Sequence, residues 1–223
     1  MPNMPYDVPY VPTPEVVVRR MLQVSGVKPG EVVYDLGCGD GRIVIMAAKE
    51  FGARAVCVEI RNDLYEQTLR RVKELNLENV VKVIHGNFFE VPIGDADVIT
   101  MYLLTSVNQM LRPKLERELR PGTRVVSHDF EVPGWKPLLA EDVYEEWRSH
   151  KIYLYKIPGA EIPIPNQVQV NIPSEYSDVA KLLDGRRSIE EIAEKTGLTM
   201  RRVREIINEL EKLGVVKEVK VVK

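Results

Sequence analysis

The amino-acid sequence predicts an α/β protein, a doubly wound, mostly parallel sheet of seven strands followed by a small C-terminal module of short helices and a strand. Three observations carry this prediction. Between residues 31 and 130, apolar β-like runs alternate with amphipathic runs of helical period. The alternation then ends in two strand-like runs with little between them, which predicts an antiparallel pair at the sheet edge. The 223 residues, 44% of them hydrophobic, are enough for one full domain with a buried core plus a further module.

The elements follow in order. Residues 1–14 hold Pro2, Pro5, Pro9, Pro12 and Pro14 and predict an extended strap. Thr13 reads as an N-cap, Pro14 as the first helical residue and Glu15 as first-turn charge, opening a helix over 14–24 with Val16, Val17, Met21 and Leu22 on one side. Strands are predicted over 31–36, 55–60, 80–85, 97–103 and 124–130, and helices over 41–51, 63–75 and 107–119. The edge pair is 143–147 and 151–157, which closes the first domain at residue 157. Pro158, Pro163, Pro165 and Pro173 mark residues 158–173 as a linker. Within 174–223, a short helix is expected over 178–183. Ser188 opens a second helix through a capping box with Glu191, and Thr199 caps a third that runs to Leu213 and is stopped by Gly214. A short strand over 215–222 closes the chain.

Composition excludes some classes. A formal net charge of −2 argues against a protein held to nucleic acid by bulk charge. The two cysteines, Cys38 and Cys57, form neither a CxxC motif nor a metal-ligand cluster. Both are expected as core thiols of a reducing, cytoplasmic compartment, and no metal site is expected. The N-terminus lacks a charged segment followed by an apolar run, so no signal peptide is expected, and no apolar stretch reaches membrane-spanning length.

The chemistry concentrates in Val32-Val33-Tyr34-Asp35-Leu36-Gly37-Cys38-Gly39-Asp40-Gly41-Arg42. A strand ends in an acid, and glycines then turn the backbone sharply into a helix start, where a ligand can approach closely. The helix N-terminus favours a carboxylate, while Asp35 favours an ammonium group. The spacing is Gly-x-Gly-x-Gly, not the Gly-x-Gly-x-x-Gly of nicotinamide and flavin dinucleotide sites. Glu59 ends the second strand, where a carboxylate either accepts hydrogen bonds from ribose hydroxyls or is simply solvated. Ile60 is placed to cover a nucleobase. In Gly86-Asn87-Phe88-Phe89, Asn87 can bond the base edge and Phe88 can pack on the ring, whereas Phe89 serves equally well as core.

The run Asp35 to Gly41, with Glu59 and the Gly86-Asn87-Phe88 turn, resembles the class I, seven-strand S-adenosylmethionine methyltransferases. The resemblance implies a Rossmann-like methyltransferase sheet and S-adenosylmethionine as methyl donor, with S-adenosylhomocysteine as product. It assigns cofactor contacts to Asp35, Gly37, Cys38, Gly39, Glu59, Ile60, Asn87 and Phe88. That family usually carries Asp in the third-strand turn, so Asn87 is a departure. The Asn/Asp-Pro-Pro-aromatic motif of adenine-N6 and glutamine methyltransferases is missing, the position reading Ile99-Thr100-Met101-Tyr102-Leu103-Leu104. Neither cysteine is placed to be a cytosine-C5 nucleophile.

Tyr10-Val11-Pro12-Thr13-Pro14-Glu15, the stretch Val98 to Asn108, and Leu119-Arg120-Pro121-Gly122 running on to Ser127-His128-Asp129-Phe130 resemble small archaeal protein-lysine methyltransferases of broad substrate range, over roughly residues 6–157. More distantly they resemble non-SET histone-lysine and mitochondrial seven-strand lysine methyltransferases. This resemblance implies that Tyr10 and Thr13 touch the cofactor from the strap and that Thr100 sits near the methionine tail. It also implies that acceptors are lysine side chains of proteins, chromatin proteins among them. Tyr102, His128 and Asp129 are expected to line the acceptor channel, with no residue nominated as a base. The alternatives are an RNA or small-molecule methyltransferase and a regulator that senses the cofactor without turnover.

Residues 174–223 resemble a winged helix-turn-helix, with a Gly-containing turn at Gly197 and Arg201, Arg202 and Arg204 near the start of its third helix. The segment holds 11 Lys or Arg against 10 Asp or Glu, so DNA contact, protein docking and self-association stay open.

Overall fold

Five apolar runs form the parallel part of one sheet: β1 (Val32–Leu36), β2 (Arg54–Glu59), β3 (Val81–His85), β4 (Val98–Met101) and β5 (Arg124–His128). The structure, a computed structural model, describes residues 9–166 and 170–222, so the extended course expected for residues 1–8 lies outside the described residues. An antiparallel hairpin, β6 (Leu139–Glu145) and β7 (Arg148–Lys156), completes the sheet through pairing of β7 with β5. The strand order is β3-β2-β1-β4-β5-β7-β6. It reverses direction between β1 and β4, the switch point where open α/β sheets leave a crevice at the carboxyl ends of their strands.

Every residue of β1 and β4 is buried, as expected of central strands covered on both faces. Period-two alternation sorts them. Val33 and Val98 face a core shared with α1 (Glu15–Val24) and α2 (Arg42–Phe51). Tyr34, Leu36 and Ile99 face a second core shared with α4 (Thr105–Glu118). The helix α3 (Asn62–Glu74) joins β2 to β3. The register places Asp35 opposite Thr100 across β1 and β4, which matters for the site.

The start of α1 differs from expectation. The helix begins at Glu15 with Pro14 as its flanking residue, and no side chain caps it. The Thr13 hydroxyl is instead hydrogen-bonded to His128, a partner 115 residues away. Val17, Val18, Met21 and Leu22 are the buried residues of α1, while Val16 is 45% exposed. The rotation follows from docking against two elements, since α1 packs on both α2 and the hairpin strands. The free thiols expected at residues 38 and 57 are also corrected. The turn after β1 folds Cys38 back against Cys57 of β2, and the two are disulfide-bonded.

The chain divides into two compact units, residues 1–157 and 158–223. In the second, the segment expected as a linker is partly a strand. β8 (Ala160–Pro165) pairs antiparallel with β9 (Val216–Val222). Pro163 and Pro165 are tolerated because β8 has a partner on one side only. α5 (Ser177–Ala180), α6 (Ile189–Thr196) and α7 (Met200–Lys212) pack around Ile192, Val203, Ile207 and Leu210. The Ser188–Glu191 capping box opens α6 and the Thr199 hydroxyl caps α7. No helix among the described residues is long and apolar enough to cross a membrane.

Candidate active site

The crevice at the switch point is a cavity of about 360 Å³ floored by the glycine loop and roofed by the strap at residues 9–13. Gly39 and Gly41 show why the loop needs glycine. Both have positive φ, 56° and 77°. A Cβ on Gly39 would lie 2.4 Å from the Tyr10 ring, and one on Gly41 would lie 2.5 Å from the Thr68 methyl. The loop is therefore pinched between strap and α3, with the Thr68 hydroxyl donating to the Gly39 carbonyl at 2.8 Å. Asp40 anchors the other side. Its carboxylate accepts from Arg42 Nε and Nη2 at 3.0 and 2.9 Å, and Arg42 Nη1 donates to the Thr13 carbonyl at 2.8 Å. Burial pushes the Asp40 acid up, but Arg42 and Arg71 outweigh it and hold the carboxyl below its ordinary range.

Asp35 is 3% exposed, and the hydrogen bond it accepts, 2.8 Å long, comes from the Thr100 hydroxyl. Burial raises its pKa to about 7, Thr100 works against that rise, and the charges of Glu59 and Asp40 add to it. A buried carboxylate in this state is built to receive a cation. Glu59, 5% exposed, spends one oxygen on the Gly39 N–H at 2.9 Å and the other on the Arg61 N–H at 2.8 Å. It braces the loop while each oxygen keeps a lone pair for a hydroxyl donor.

Each residue expected to touch the cofactor lines this cavity except Thr100. Thr100 is fully buried and reaches the site through Asp35. Asn87 lines the wall, but its side-chain oxygen is engaged by the Phe89 N–H at 3.0 Å and its amide points to Glu90 at 3.4 Å. This local turn uses the acceptor that the family's Asp would supply, which accounts for the tolerated substitution. Phe89 lines the cavity beside Phe88. Sequence reasoning missed the Asp40–Arg42 clamp, although both residues stand inside the glycine motif, and it missed Leu103.

The residues expected to line the acceptor channel meet at a corner formed by the ends of β4 and β5. Tyr102 lines the cavity, and its hydroxyl donates to Asp129 Oδ2 at 3.0 Å. Asp129 has φ 58°, a left-handed conformation that Asp adopts more readily than most residues with a side chain. Burial raises its pKa, but the Lys151 N–H, His128 and Tyr102 together hold it below the ordinary range, so it is anionic. Behind it, His128 Nε2 and His150 Nδ1 are 2.9 Å apart, and His128 Nδ1 meets the Thr13 hydroxyl at 3.0 Å. Burial drives the His128 pKa down to about 4, so the ring is neutral at pH 7 and links strap to sheet without charge. Its place behind the corner suits the structural role of a strand-end histidine.

The donor set fits S-adenosylmethionine on an observation internal to the site: an unpaired buried acid at Asp35 for the amine, lone pairs of Glu59 for the ribose, and a cradle that any Cβ at residue 39 would fill.

Comparison with known proteins agrees with this reading. A family described as the ANTKMT methyltransferase domain matches residues 35–139, and one described as winged helix-turn-helix DNA-binding matches residues 182–217. The chain is 53% identical over 151 residues to a protein-lysine N-methyltransferase of Saccharolobus islandicus, covering 67% of this chain and 94% of that one. It is 35% identical over 133 residues to the adenine nucleotide translocase lysine N-methyltransferase of Mus musculus, covering 59% of this chain and 57% of that one. A crystal structure described as an RNA methyltransferase from Salinibacter ruber, in complex with S-adenosyl-L-homocysteine, superposes with a TM-score of 0.62 at 43% identity. It covers 74% of this chain and all of that one. With the switch-point cavity, the glycine loop and near-complete coverage of the archaeal relative, the chain belongs to the S-adenosylmethionine-dependent protein-lysine N-methyltransferase family.

Proposed function

We propose that this enzyme methylates lysine side chains of proteins. The observation that carries the reading is the Tyr102–Asp129 corner, where Tyr102 lines the cavity and the anionic Asp129 stands behind its hydroxyl. A lysine side chain is long, thin and cationic, and the carboxylate can orient its ammonium head on arrival. S-adenosylmethionine supplies the electrophilic methyl group when bound. The amine must be neutral to attack, which at pH 7 costs about 4.6 kcal/mol from a reference pKa near 10.4. The buried Leu103 beside the cavity and the positive charge of the methyl donor when bound would both lower that cost, while the Asp129 carboxylate works against them. Asp129 then positions the amine and no strong base is required. The names of the archaeal and mouse relatives support the same acceptor.

The test is a peptide bearing one lysine against the same peptide with arginine in its place, followed by mass spectrometry. Methylation of the first alone is expected, and equal labelling of both overturns the reading. A second reading, RNA methylation, is favoured by the description of the Salinibacter structure. It predicts label in RNA, and none in the lysine peptide, when RNA is added to that reaction.

The C-terminal unit supports a weaker DNA contact than its family match suggests. Arg204 is turned inward to Glu161 at 2.7 Å, and Arg202 pairs with Glu205 at 3.1 Å. Arg204 is thereby withdrawn from any groove, whereas the Arg202 pair is half exposed, and with near-balanced charge across the unit the favoured role is docking of protein. No shift of duplex DNA by the full chain is the expected result, and a shift that falls steeply with salt overturns it. The archaeal relative supports the cytoplasm as the place where this enzyme works.

A further inference from the structure

The tip of the β6–β7 hairpin carries two aromatic side chains that the fold does not use. Trp147 is 88% exposed and Tyr144 is 76% exposed, the two most exposed of the large apolar side chains among the described residues. The turn is two residues long, Glu146-Trp147 between the paired Glu145 and Arg148. Such turns favour Gly or Asn where φ is positive, yet Glu146 holds φ 50°. Local preference is thus overridden, and the outcome is a bulky ring and a carboxylate held out in solvent.

The tip is also acidic. Glu141 and Asp142 are neutralised by Arg20 and Lys151. Glu146 has no ion pair among the described residues, and Glu145 has only the His150 ring, its Nε2 at 3.9 Å, within ion-pair distance there. One short hairpin tip therefore carries two carboxylates and two exposed aromatic side chains, with Arg148 turned toward Asp129.

Position ties this patch to the acceptor corner. Arg148, the next residue after Trp147, reaches Asp129 Oδ2 at 3.2 Å and the Tyr102 hydroxyl at 3.5 Å. Antiparallel pairing of β7 with β5 puts the start of β7 beside the carboxyl end of β5, where Asp129 follows His128.

We propose that the β6–β7 tip is a docking surface for lysine- and arginine-rich polypeptide segments, with Trp147 and Tyr144 stacking on side-chain cations and Glu145 and Glu146 attracting them. The inference rests on the lysine-acceptor reading and extends it. A basic segment held at the tip keeps a neighbouring lysine within reach of the corner. The same carboxylates repel a phosphate backbone.

The test uses the full chain and reads binding without turnover. The sequence has two tryptophans, so Trp135→Phe leaves Trp147 as the single reporter. The Trp135→Phe protein is titrated with poly-L-lysine, with poly-L-glutamate as control, and its unchanged circular dichroism and cofactor affinity certify the fold. A saturable change in Trp147 emission with poly-L-lysine is expected, weakened about tenfold by Glu145→Gln with Glu146→Gln, or by Tyr144→Ala. It should vanish at high salt. No emission change, or an equal change with poly-L-glutamate, overturns the proposal. In turnover, Trp147→Ala should raise KM for a lysine-rich protein about tenfold with kcat little altered, and an unmoved KM likewise overturns it. Docking that persists in an enzyme unable to methylate lysine would contradict the acceptor assignment alone.

Discussion

Thr100→Val removes one hydroxyl and almost no volume from a position that never touches the cavity. Its Oγ1 donates to Asp35 Oδ1 at 2.8 Å, and the two residues are 0% and 3% exposed. A hydrogen bond to a charged group contributes about 1.5–3 kcal/mol, so its loss raises the Asp35 pKa by about 1–2 units. Asp35 already titrates at about 7 because burial opposes its charge. The wild-type acid is therefore about half ionised at pH 7, and the variant's falls to a few per cent. The cofactor ammonium needs the ionised form. Affinity should thus fall tenfold per pH unit below the Asp35 pKa and level off above it. Calorimetric titration of S-adenosylhomocysteine from pH 6 to 9 reads both curves. The expected result is a break near pH 7 in the wild type, a break at least one unit higher in Thr100→Val, convergence at high pH, and recovery in Thr100→Ser. A variant with an unmoved break would refute the argument that Thr100 tunes Asp35.

Other consequences follow from the same geometry. Gly39→Ala places a methyl 2.4 Å from the Tyr10 ring at φ 56°, so cofactor affinity should drop at least tenfold and recover in part when Tyr10→Ala is added. The folded-state pKa of Asp35, about 7, lies above its unfolded value of 3.8, so its stabilising proton is lost as pH rises through 7. Asp35→Asn should therefore abolish cofactor binding yet stabilise the apoprotein at pH 8 by up to about 4 kcal/mol, with little effect at pH 4, in chemical denaturation. His128 acts with the opposite sign, its folded value of about 4 lying below the ordinary 6.5. In Asp35→Asn protein, stability should fall by about 3 kcal/mol as pH drops from 6.5 to 4, and a flat profile would contradict the neutral buried ring. Arg204→Met strands Glu161, its partner at 2.7 Å with both side chains about nine-tenths buried, and should melt the C-terminal unit first, seen as early loss of protection in hydrogen exchange over residues 158–223.

Much of this architecture is written locally and could be read locally. Strand and helix periods gave the order of elements because each central strand is buried on both faces and each helix on one. The glycine loop was legible because its requirement is a backbone one, set by Asp35, Gly37, Gly39 and Gly41 within seven residues. What stayed hidden depends on pairing between distant segments. Thr13 carries the signature of a helix cap, yet its hydroxyl is claimed by His128, which no local rule can foresee. Thr100 looked like a cavity residue, and only the β1–β4 register turns it toward Asp35. The prolines of residues 158–165 predict a linker, and β9 overrides them because an edge strand needs few donors. Cys38 and Cys57 read as separate core thiols until the turn after β1 brings them together. The basic start of α7 read as a groove contact, but Arg204 belongs to Glu161, which precedes it by 43 residues.

The acceptor is tested most directly by competition in one vessel. A lysine-rich small protein and total cellular RNA are incubated together with the enzyme and methyl-labelled S-adenosylmethionine. The two fractions are then separated and digested for mass spectrometry. The Asp129–Tyr102 corner and the acidic hairpin beside it predict label on lysine Nζ atoms and none on nucleosides. Label confined to RNA would contradict the account.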